Sequence, residues 1–453
     1  MGRLMTLLRI LLFCSLGAIA PRAARGDESP FLKPVRLQAD GADIDTGDDW
    51  GHSGPAMADV DGDGLRDLVV GSFSGKFRFY KNVGAKGQPK FSARGNLPAG
   101  NGDAQVPIYC CIGSSPHFVD FDHDGRLDFI SGSYDPGECY LFRGLGAGKF
   151  NERQTIVDRA GRPVLLHPER QSGWRQKMES FGSWPVMVDW NGDGKLDLLV
   201  GTFSGTMFVR LNQRSAESPE FSATNLVVEA EGRPLALPDG TRGHAAVAIA
   251  DWDGDGRWDI LSGCYDGGVF LFRNEGSAGE PRFGRPKRLI APHEGAGFQE
   301  ILHVSDELRP GIRSQITAVD FFDRGKLDLL VGDFCMSFTL REDLTADQVH
   351  EYLALLKKDN DLADQLGGLR KAAGDAIDKR YPQEAQSQSS PEWLAERRKA
   401  FAALKSSPEF QELEKERENV REEAHQFLVK PERKGEFDDY DRTRGYVWLY
   451  ERK

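Results

Sequence analysis

An acidic motif recurs five times along the 453-residue chain, and this recurrence constrains the fold more than any other feature of the sequence. The copies begin at Asp59, Asp120, Asp189, Asp251 and Asp320, roughly 60 to 70 residues apart. Self-similarity at a period of this size is typical of propellers and other repeat architectures, in which one small unit packs against its own copies. The fold can therefore be predicted from the pattern of a single unit.

Each unit has the pattern of a four-stranded antiparallel sheet. In the third copy, an apolar segment at 184–188 enters the acidic loop, and a continuous apolar run at 196–201 leaves it. Continuous apolar runs of this length predict strands that are buried on both faces. After a glycine-containing turn at 203–205, the alternating segment 207–211 predicts a hairpin partner, and a short strand near 219–221 completes the sheet.

These units predict an all-β fold, a β-propeller with five four-stranded blades, with seven blades as the alternative. Residues 30–37 have the pattern of a fourth strand, although no unit precedes them, and residues 445–452 have the pattern of a third strand. We therefore expect the last blade to be closed by strands from both the N-terminus and the C-terminus. Closure of this kind removes open sheet edges, which otherwise pair with other chains.

The domain organisation follows from changes in composition along the chain. Residues 1–26 begin with a positive charge, continue as a short apolar run and end in small residues, which predicts a secretory signal peptide. Residues 27–342 hold the repeats, residues 343–436 are predicted as a helical insertion into the last blade, and residues 437–453 supply the final propeller strand. We expect a secreted, periplasmic or cell-surface protein that contacts a membrane only through the signal segment, if that segment is uncleaved.

Three helix starts are predicted within the insertion. Thr345 and Gln348 have the spacing of a capping box, while Ser390 and Ser407 each precede a proline, which is favoured at the first position of a helix. The apolar positions that follow predict helices that pack together and onto one face of the propeller.

Charge and cysteine content narrow the classes of function. The net charge of -12 argues against a nucleic-acid partner, because phosphate binding needs a basic surface. Beyond the signal segment, either Cys110 or Cys111 could pair with Cys139 in an exported protein. No paired cysteine or histidine set recurs at the spacing of a zinc site.

Four of the five loops carry Asp or Asn at loop positions one, three, five and nine. Alternating oxygen ligands on a tight loop, with a glycine after the third ligand, satisfy a hard cation such as calcium. Without a cation the crowded carboxylates would repel one another; the alternative is a set of solvated acidic turns. We therefore predict four calcium sites. Their ligands are Asp59, Asp61, Asp63 and Asp67; Asp120, Asp122, Asp124 and Asp128; Asp189, Asn191, Asp193 and Asp197; and Asp251, Asp253, Asp255 and Asp259.

The loops are not EF-hands, and the fifth loop is not expected to bind calcium. An EF-hand needs a glutamate at position twelve. The four intact loops carry Val70, Ser131, Val200 and Ser262 there, and they lead into strands. Between Asp320 and Asp328, Phe322 and Arg324 replace the second and third ligands. Arg324 is expected to supply in covalent form the positive charge that calcium supplies elsewhere.

The motif Asp-x-Asp-Gly-Asp-Gly-x-x-Asp, followed by an apolar strand and by Gly-Ser-Phe-Ser-Gly at 71–75 or Gly-Thr-Phe-Ser-Gly at 201–205, resembles the FG-GAP/VCBS repeat family. That family includes the propeller of integrin alpha chains, which has seven blades, and secreted bacterial proteins. The resemblance covers residues 31–342 and the last strand. It implies a calcium-binding propeller used in extracellular adhesion or carbohydrate recognition, on a scaffold that serves binding proteins and polysaccharide-degrading enzymes alike.

Residues at the start of each first strand are expected to surround the mouth of the propeller channel. Six residues before the leading Asp, serine recurs in four copies, and Ala245 is the exception. Aromatic rings beside polar groups on the nearby loops suit sugars or peptide side chains. The predicted ligand-binding residues are Trp50, His52, Ser53, Ser114, His117, Trp174, Ser183, Trp184, His244, Arg313 and Ser314. The alternative for the serines is that they satisfy backbone groups in a repeated turn.

The sequence favours binding over catalysis, because it contains no nucleophile elbow, zinc helix or phosphate loop. We expect a secreted calcium-binding propeller that acts as a binding or adhesion module for an extracellular polysaccharide or protein. The alternative is a calcium-dependent polysaccharide-degrading enzyme, a lyase or glycoside hydrolase, with its site at the channel mouth. Asp48, Asp49, Asp103 and Glu179 are available as its carboxylates, although their spacing singles out none of them.

Overall fold

The computed structural model describes most of the chain beyond residue 28. The described residues are 29–107, 114–135, 137–166, 182–230, 232–277, 279–293, 299–304, 306–381, 390–430 and 442–453. They form a mostly β structure with three α-helices in the last quarter of the chain. None of the helices among them is long and apolar enough to cross a membrane. The signal peptide predicted at 1–26 lies outside the described residues and stays a prediction.

Each acidic motif lies between the first and second strands of an antiparallel sheet, and the five sheets are numbered I to V in chain order. Sheet I contains Gly54–Ala58, Asp67–Gly71, Phe77–Asn82 and Phe91–Asn96; sheet II contains Pro116–Val119, Asp128–Gly132, Cys139–Phe142 and Gln154–Thr155. Sheet III contains Ser183–Val188, Asp197–Thr202, Met207–Arg210 and Leu226–Val227; sheet IV contains Ala246–Ala250, Asp259–Gly263, Val269–Phe272 and Lys287–Ile290. Sheet V contains Ile312–Val319, Asp328–Leu340, Val447–Tyr450 and Val35–Arg36.

Short strands extend the outer edges of these sheets. Gln38–Ala39 and Ala42–Asp43 continue sheet I, while Gln299–His303 and Arg442–Arg444 pair with the long second strand of sheet V. A separate small sheet contains Pro98–Ala99, Gly102–Asp103, Gly144–Gly146 and Lys149–Phe150, and a hairpin joins Glu229–Ala230 to Arg233–Pro234. A 3-10 turn lies at Gly47–Asp49.

The fourth strand of sheet III begins later than the sequence predicts. Phe221 forms isolated bridges with Asp158 and Asn212, and the strand that pairs with Met207–Arg210 is Leu226–Val227. The apolar ring of Phe221 is buried in the core between sheets II and III. The apolar signal near 219–221 therefore comes from core packing before the strand.

Sheet V combines segments from distant parts of the chain. Its second strand pairs with Val447–Tyr450, where Leu330 lies opposite Leu449. Leu449 in turn lies opposite Val35 of the N-terminal strand. One sheet thus takes its third strand from the C-terminal segment and its fourth from the N-terminal segment.

An apolar core fills the space between each pair of consecutive sheets. The second strands of sheets I to IV are buried along their whole length, as the continuous apolar runs predict. Sheets I and II meet at Val69, Phe77, Phe129 and Phe142; II and III at Ile130, Leu141, Leu198 and Phe208; III and IV at Leu199, Val209, Ile260 and Phe272. Sheets IV and V meet at Leu261, Leu271, Leu329 and Trp448, and sheets V and I at Leu330, Leu449, Leu68 and Val70. Sheet V is therefore packed against both sheet IV and sheet I.

A glycine at the same point of each second strand allows the next sheet to approach closely. A Cβ atom there would lie only 1.8 to 2.1 Å from a backbone carbonyl oxygen of the following sheet. The glycines are Gly71, Gly132, Gly201, Gly263 and Gly332, and the carbonyl oxygens belong in the same order to Ser114, Ser183, Ala245, Ser314 and Ser53. Every side chain larger than hydrogen is excluded at these positions.

The three helices are Ala346–Asp378, Pro391–Lys405 and Pro408–His425. Their predicted starts are confirmed: Thr345 and Gln348 form a capping box, and the Ser390 and Ser407 side chains accept N-cap hydrogen bonds. The helices contact one another. An apolar cluster that includes Leu340, Tyr352, Phe427 and Leu428 attaches them to the end of the second strand of sheet V.

Cys139 and Cys264 are buried free thiols, and Cys335 is buried. The disulfide considered for Cys139 is therefore not formed. Cys110 and Cys111 lie outside the described residues.

Substitution Gly332→Ala is expected to destabilise the protein by about 3 kcal/mol, because the new methyl group overpacks a backbone contact between sheets V and I. Urea denaturation in a calcium-containing buffer measures this loss. The matched control is Gly102→Ala, where a Cβ meets nothing within 4 Å, and a change of at most about 0.5 kcal/mol is expected. Equal stability of the two variants would contradict the close contact.

Candidate functional site

The aspartate at loop position nine anchors each acidic loop. Asp67 is fully buried, and its carboxylate oxygens accept hydrogen bonds from the backbone N–H groups of Val60 (3.2 Å) and Asn82 (2.8 Å). Val60 lies in the loop and Asn82 ends the third strand, so one carboxylate joins both to the start of the second strand. The same two bonds are made by Asp128, Asp197 and Asp259.

The aspartate at position one closes the turn of the loop. In sheets I to IV its carboxylate accepts a hydrogen bond of 2.9 to 3.0 Å from the N–H group of the glycine at position six. That glycine has a φ between +79° and +89°, a conformation that other residues rarely adopt. The loop backbone therefore holds the carboxylates at positions one and nine in place.

Three loops bring the carboxylate oxygens of three residues within 4.8 Å of one another. The groups are Asp59, Asp61 and Asp67; Asp120, Asp122 and Asp128; and Asp251, Asp253 and Asp255. One oxygen each of Asp59, Asp61 and Asp122 is buried without a hydrogen-bond partner among the described residues. A buried oxygen without a partner is costly, and a divalent cation bound between such oxygens removes that cost. The residues present fit a cation, most closely in loops I and II.

Loop III presents an amide in place of one carboxylate. Asn191 stands at position three, and its amide oxygen is also a calcium ligand by type. Its Nδ2 donates a hydrogen bond to Asp193 Oδ2 at 3.2 Å. The loop keeps the oxygen pattern of its neighbours with one negative charge fewer.

A basic side chain at the end of the third strand contacts the acidic loop in three sheets, which the sequence analysis missed. The pairs are Lys81 with Asp61 and Asp63, Arg143 with Asp122, and Arg273 with Asp253 and Asp255. Ion pairs near the surface contribute about 0 to 1 kcal/mol each, so they do not replace a divalent ion. The sequence signal that could have identified these pairs is a basic residue that recurs at the end of the third strand, at Lys81, Arg143 and Arg273.

Sheet V has the opposite arrangement of charges. Arg324, at loop position five, donates hydrogen bonds of 2.6 Å to Asp328 and to Glu451. The backbone N–H group of Arg452 donates to the buried Asp328, as the N–H group of Asn82 donates to Asp67 in sheet I. Glu451 precedes Arg452 and therefore occupies the position that Lys81 occupies in sheet I. The cation therefore lies on the loop and the anion on the strand. The guanidinium contacts the position-nine carboxylate, so Arg324 places a positive charge within the loop.

Burial changes the protonation of the position-nine aspartates. It raises the pKa of Asp67 and of Asp197 to about 6, and it raises the pKa of Asp128 and Asp259 in the same direction. The backbone hydrogen bonds act in the opposite direction without cancelling the effect. A bound cation would favour the charged form of these groups.

The predicted serines lie in the walls between sheets. The hydroxyl of Ser183 donates to the carbonyl oxygens of Ser133 (3.4 Å) and Glu138 (3.0 Å) in the preceding sheet. Ser53, Ser114 and Ser314 make comparable bonds to backbone carbonyl oxygens, and all four side chains are buried. These contacts correspond to the alternative in which the serines satisfy backbone groups of a repeated turn.

The residue before Ser53, Ser183, Ser314 and the equivalent Ala245 has a left-handed backbone. Gly182 has a φ of +65°, and His52, His244 and Arg313 have φ values of +63°, +69° and +57° at the equivalent points. Glycine adopts this conformation freely, whereas other residues adopt it at a cost of about 1 kcal/mol or more. Retaining two histidines and an arginine at this cost marks the three as functional candidates.

His52 and Arg313 are in direct contact at the starts of sheets I and V. Arg313 Nη1 contacts His52 Nε2, and His52 Nδ1 lies 3.1 Å from the carbonyl oxygen of Trp50. Since Arg313 can only donate, His52 accepts through Nε2 and carries its proton on Nδ1. The pair thus holds a neutral imidazole beside a permanent cation.

His244 joins the same cluster from sheet IV. Its ring is fully buried and lies 4.2 Å from the ring of Trp184, and neither ring nitrogen has a hydrogen-bond partner among the described residues. Trp184 Nε1 donates to Gln315 Oε1 at 3.1 Å, and Gln315 Nε2 donates to the carbonyl oxygen of His52 at 3.3 Å. Burial holds the pKa of His244 well below its usual value. Gln315 was missed in the sequence analysis because it follows no repeated pattern.

The other predicted ligand-binding residues are His117, Trp50 and Trp174. His117 lines a cavity of about 170 Å³ between the first strands of all five sheets, and burial lowers its pKa to about 4. Trp50 is 40% exposed, two residues before His52. Trp174 lies outside the described residues.

The carboxylates considered for an enzyme are engaged in ion pairs. Asp48 and Asp49 contact Arg78, and Asp103 lies 2.8 Å from Lys76. Glu179 lies outside the described residues. Each of the three described carboxylates therefore has a basic partner, and none of the three is left unpaired for acid-base chemistry.

Comparison with known proteins supports the resemblance to one repeat family. Residues 189–262, which include the third and fourth acidic loops, match the family model described as an FG-GAP-like repeat. This match confirms the resemblance seen in the sequence.

Cartilage acidic protein 1 of mouse is 26% identical over 170 residues, which cover 36% of this chain and 24% of the mouse protein. The human protein is 26% identical over 151 residues, 32% of this chain and 20% of that protein. The matched region thus spans a quarter or less of these relatives. A GH62 hydrolase solved with xylotriose is 10% identical with a TM-score of 0.39, covering 70% of this chain and 94% of that one.

The stability of the metal-stripped protein is expected to fall as the pH rises from about 4 to 7. A raised pKa means that the native state binds the proton more tightly than the unfolded state. The stabilisation that protonated Asp67 and Asp197 contribute is therefore complete below pH 4 and is lost as the pH rises through about 6. Urea midpoints across this range test the slope. Asp197→Asn should flatten it.

The control for this experiment is Asp343→Asn, because a hydrogen bond from Arg341 lowers the pKa of Asp343 and gives the opposite sign. Calcium is expected to raise the midpoint more at pH 7 than at pH 4.5, since it binds the ionised carboxylates. An unchanged slope in Asp197→Asn would contradict the assignment.

Proposed function

We propose that this chain is a secreted, calcium-binding β-propeller of five blades that binds an extracellular polysaccharide or protein. The observation that carries the proposal is the recurrence of one acidic loop in consecutive sheets, with three carboxylates within 4.8 Å of one another in loops I, II and IV. In loops I and II, buried carboxylate oxygens lack a hydrogen-bond partner among the described residues. The match of residues 189–262 to the FG-GAP-like repeat supports the same class of protein.

Five blades in a closed ring account for the contacts between the sheets. The first strand of each sheet contacts the first strand of the next, and the first strand of sheet V contacts that of sheet I. The glycine contacts follow the same cycle, ending with Gly332 against Ser53. Seven blades would require two further sheets between V and I, where an apolar core already joins them.

Calcium would be held by the aspartates of loops I to IV, with Asn191 supplying an amide oxygen in loop III. The oxygen-only ligand sets suit a hard cation, and the absence of cysteine and histidine from the ligand positions one, three, five and nine disfavours zinc. Bound ions would neutralise the acidic loops and hold each first strand to its second strand. Loop V would use Arg324 for this purpose.

The channel mouth at the opposite ends of the first strands suits binding. There His52, His244 and Arg313 lie among aromatic rings, a combination of flat apolar faces and hydrogen-bond donors that recognises sugars and side chains. The nearby Asp48, Asp49 and Asp103 are paired with basic residues, which favours a binding module over a glycoside hydrolase.

Calcium-loaded protein is expected to bind at least one member of an array of extracellular polysaccharides and matrix proteins without altering it. Bound ligand is measured on the array, and reducing ends and absorbance near 235 nm are followed in solution for products. The matched control is the metal-stripped protein, which should bind less because its loops lose their ions. Product release would instead indicate the lyase or hydrolase alternative, and an array without any ligand would contradict the binding function.

A further inference from the structure

A cavity of about 190 Å³ lies at the seam between sheets V and I, on the side of the acidic loops. Loop I, loop V and the connection between the third and fourth strands of sheet I supply most of its walls. Its apolar lining comes from Met57, Leu65, Ala85, Pro89 and Phe321, and its charged lining from Arg66, Lys86 and Asp323. Neither the calcium loops nor the channel mouth gives this cavity a role.

The cavity coincides with a change of residue type at loop position eight. This position is apolar in sheets II to V, and in sheets III, IV and V its side chain packs against the core shared with the preceding sheet. The residues concerned are Leu127, Leu196, Trp258 and Leu327. Sheet I has Arg66 there, which lies 2.5 Å from Asp323 and donates to the carbonyl oxygen of Asp320. The guanidinium thus contacts loop V, and the apolar side chain that fills the other seams is missing.

The seam between sheets III and IV shows what the space fits. There the ring centre of Trp258 lies 5.1 Å from that of Trp190 and 5.9 Å from that of Phe283. At the seam between sheets V and I, Phe321 and Phe91 hold the positions of Trp190 and Phe283, with ring centres 6.3 Å apart. No third ring completes this set, because loop position eight of sheet I is not aromatic. The cavity is therefore a slot for one aromatic ring.

The volume of the slot agrees with a single ring. An apolar cavity of about 150 Å³ is enough for benzene, whereas sites for larger ligands measure about 300 to 1,000 Å³. The slot, at about 190 Å³, lies near the first value. A ring inside it would contact the buried side chain of Phe321 and the guanidinium of Arg66. Both groups attract aromatic rings.

The unpaired charge at the slot is positive. Asp323 is already engaged, since it pairs with Arg66 and its other oxygen accepts the N–H group of Gly87 at 2.9 Å. Lys86 is exposed, and no ion pair joins it to another residue within the part of the chain that the structure describes. A ligand carboxylate can therefore reach an unpaired ammonium group, whereas a ligand amine meets only a carboxylate that is already paired.

We propose that the slot binds a small aromatic carboxylic acid, with its ring against Phe321 and its carboxylate on Lys86. The slot lies apart from the channel mouth, and the inference does not rest on the proposed function. Because sheets V and I form the slot together, a ligand bound to the native state alone would stabilise the seam between them.

The test is a titration of the calcium-loaded full chain with three probes, followed by saturation-transfer NMR. Indole-3-acetate carries an aromatic ring and a carboxylate, tryptamine carries the same ring with an ammonium group, and cyclohexylacetate carries the carboxylate on a ring that is not aromatic. Indole-3-acetate is expected to bind with a dissociation constant of about 1 mM or less, as its size allows. The other two probes should bind about fivefold or more weakly.

Two variants locate the site. Arg66→Leu gives loop I the position-eight residue type of its neighbours, fills the slot and should abolish binding of indole-3-acetate. Lys86→Gln removes the exposed charge and should reduce the preference for indole-3-acetate over tryptamine to about twofold or less. Its matched control is Lys287→Gln, which removes an exposed charge on the fourth strand of sheet IV and should leave the preference unchanged. Urea midpoints verify that each variant is folded.

The results separate this inference from its alternatives. Loss of binding in folded Arg66→Leu, together with the reduced preference in Lys86→Gln, supports it. Binding that survives Arg66→Leu, or that tryptamine or cyclohexylacetate equals, overturns it. Absence of binding to the unmodified chain also overturns it, as does binding of an acidic tryptophan-containing peptide without binding of the free acid. The proposed function is tested separately on the array of polysaccharides and matrix proteins.

Discussion

The rest of the structure depends on two hydrogen bonds that the buried aspartate at loop position nine accepts from the backbone. In sheet I, Asp67 accepts one backbone N–H from the loop and one from the end of the third strand. These bonds fold the loop over the strand ends and bring the other carboxylates within reach of one another. A bound cation would remove the repulsion that results, so the geometry of the sheet and the proposed calcium binding have the same origin.

What could be predicted from the sequence was local in character. The acidic loops, the buried second strands and the helix caps at Thr345, Ser390 and Ser407 each depend on residues a few positions apart. The contact of Gly332 with Ser53 could not be predicted, because it joins residues nearly 280 positions apart and depends on how two sheets pack. The recurring serines were open to two interpretations for the same reason, since their acceptors lie on the neighbouring sheet.

The candidate site was predicted in its residues but not in its arrangement. His52, His244 and Arg313 stand out in sequence only by their place before the serine positions. Their left-handed backbone and mutual contacts arise from the turn that each sheet repeats. The two ends of the first strands thereby carry different groups: acidic loops lie at one end, and buried aromatic and cationic side chains lie at the other end.

The central claim is that loops I to IV each bind one calcium ion and that loop V does not, because Arg324 takes the place of the ion. Native mass spectrometry of the metal-stripped full chain, titrated with calcium, counts the bound ions directly. The account predicts four, and it predicts three after the paired substitution Asp59→Asn and Asp61→Asn. A chain that takes up no calcium under conditions that keep it folded, or whose count is unchanged by that substitution, would contradict it.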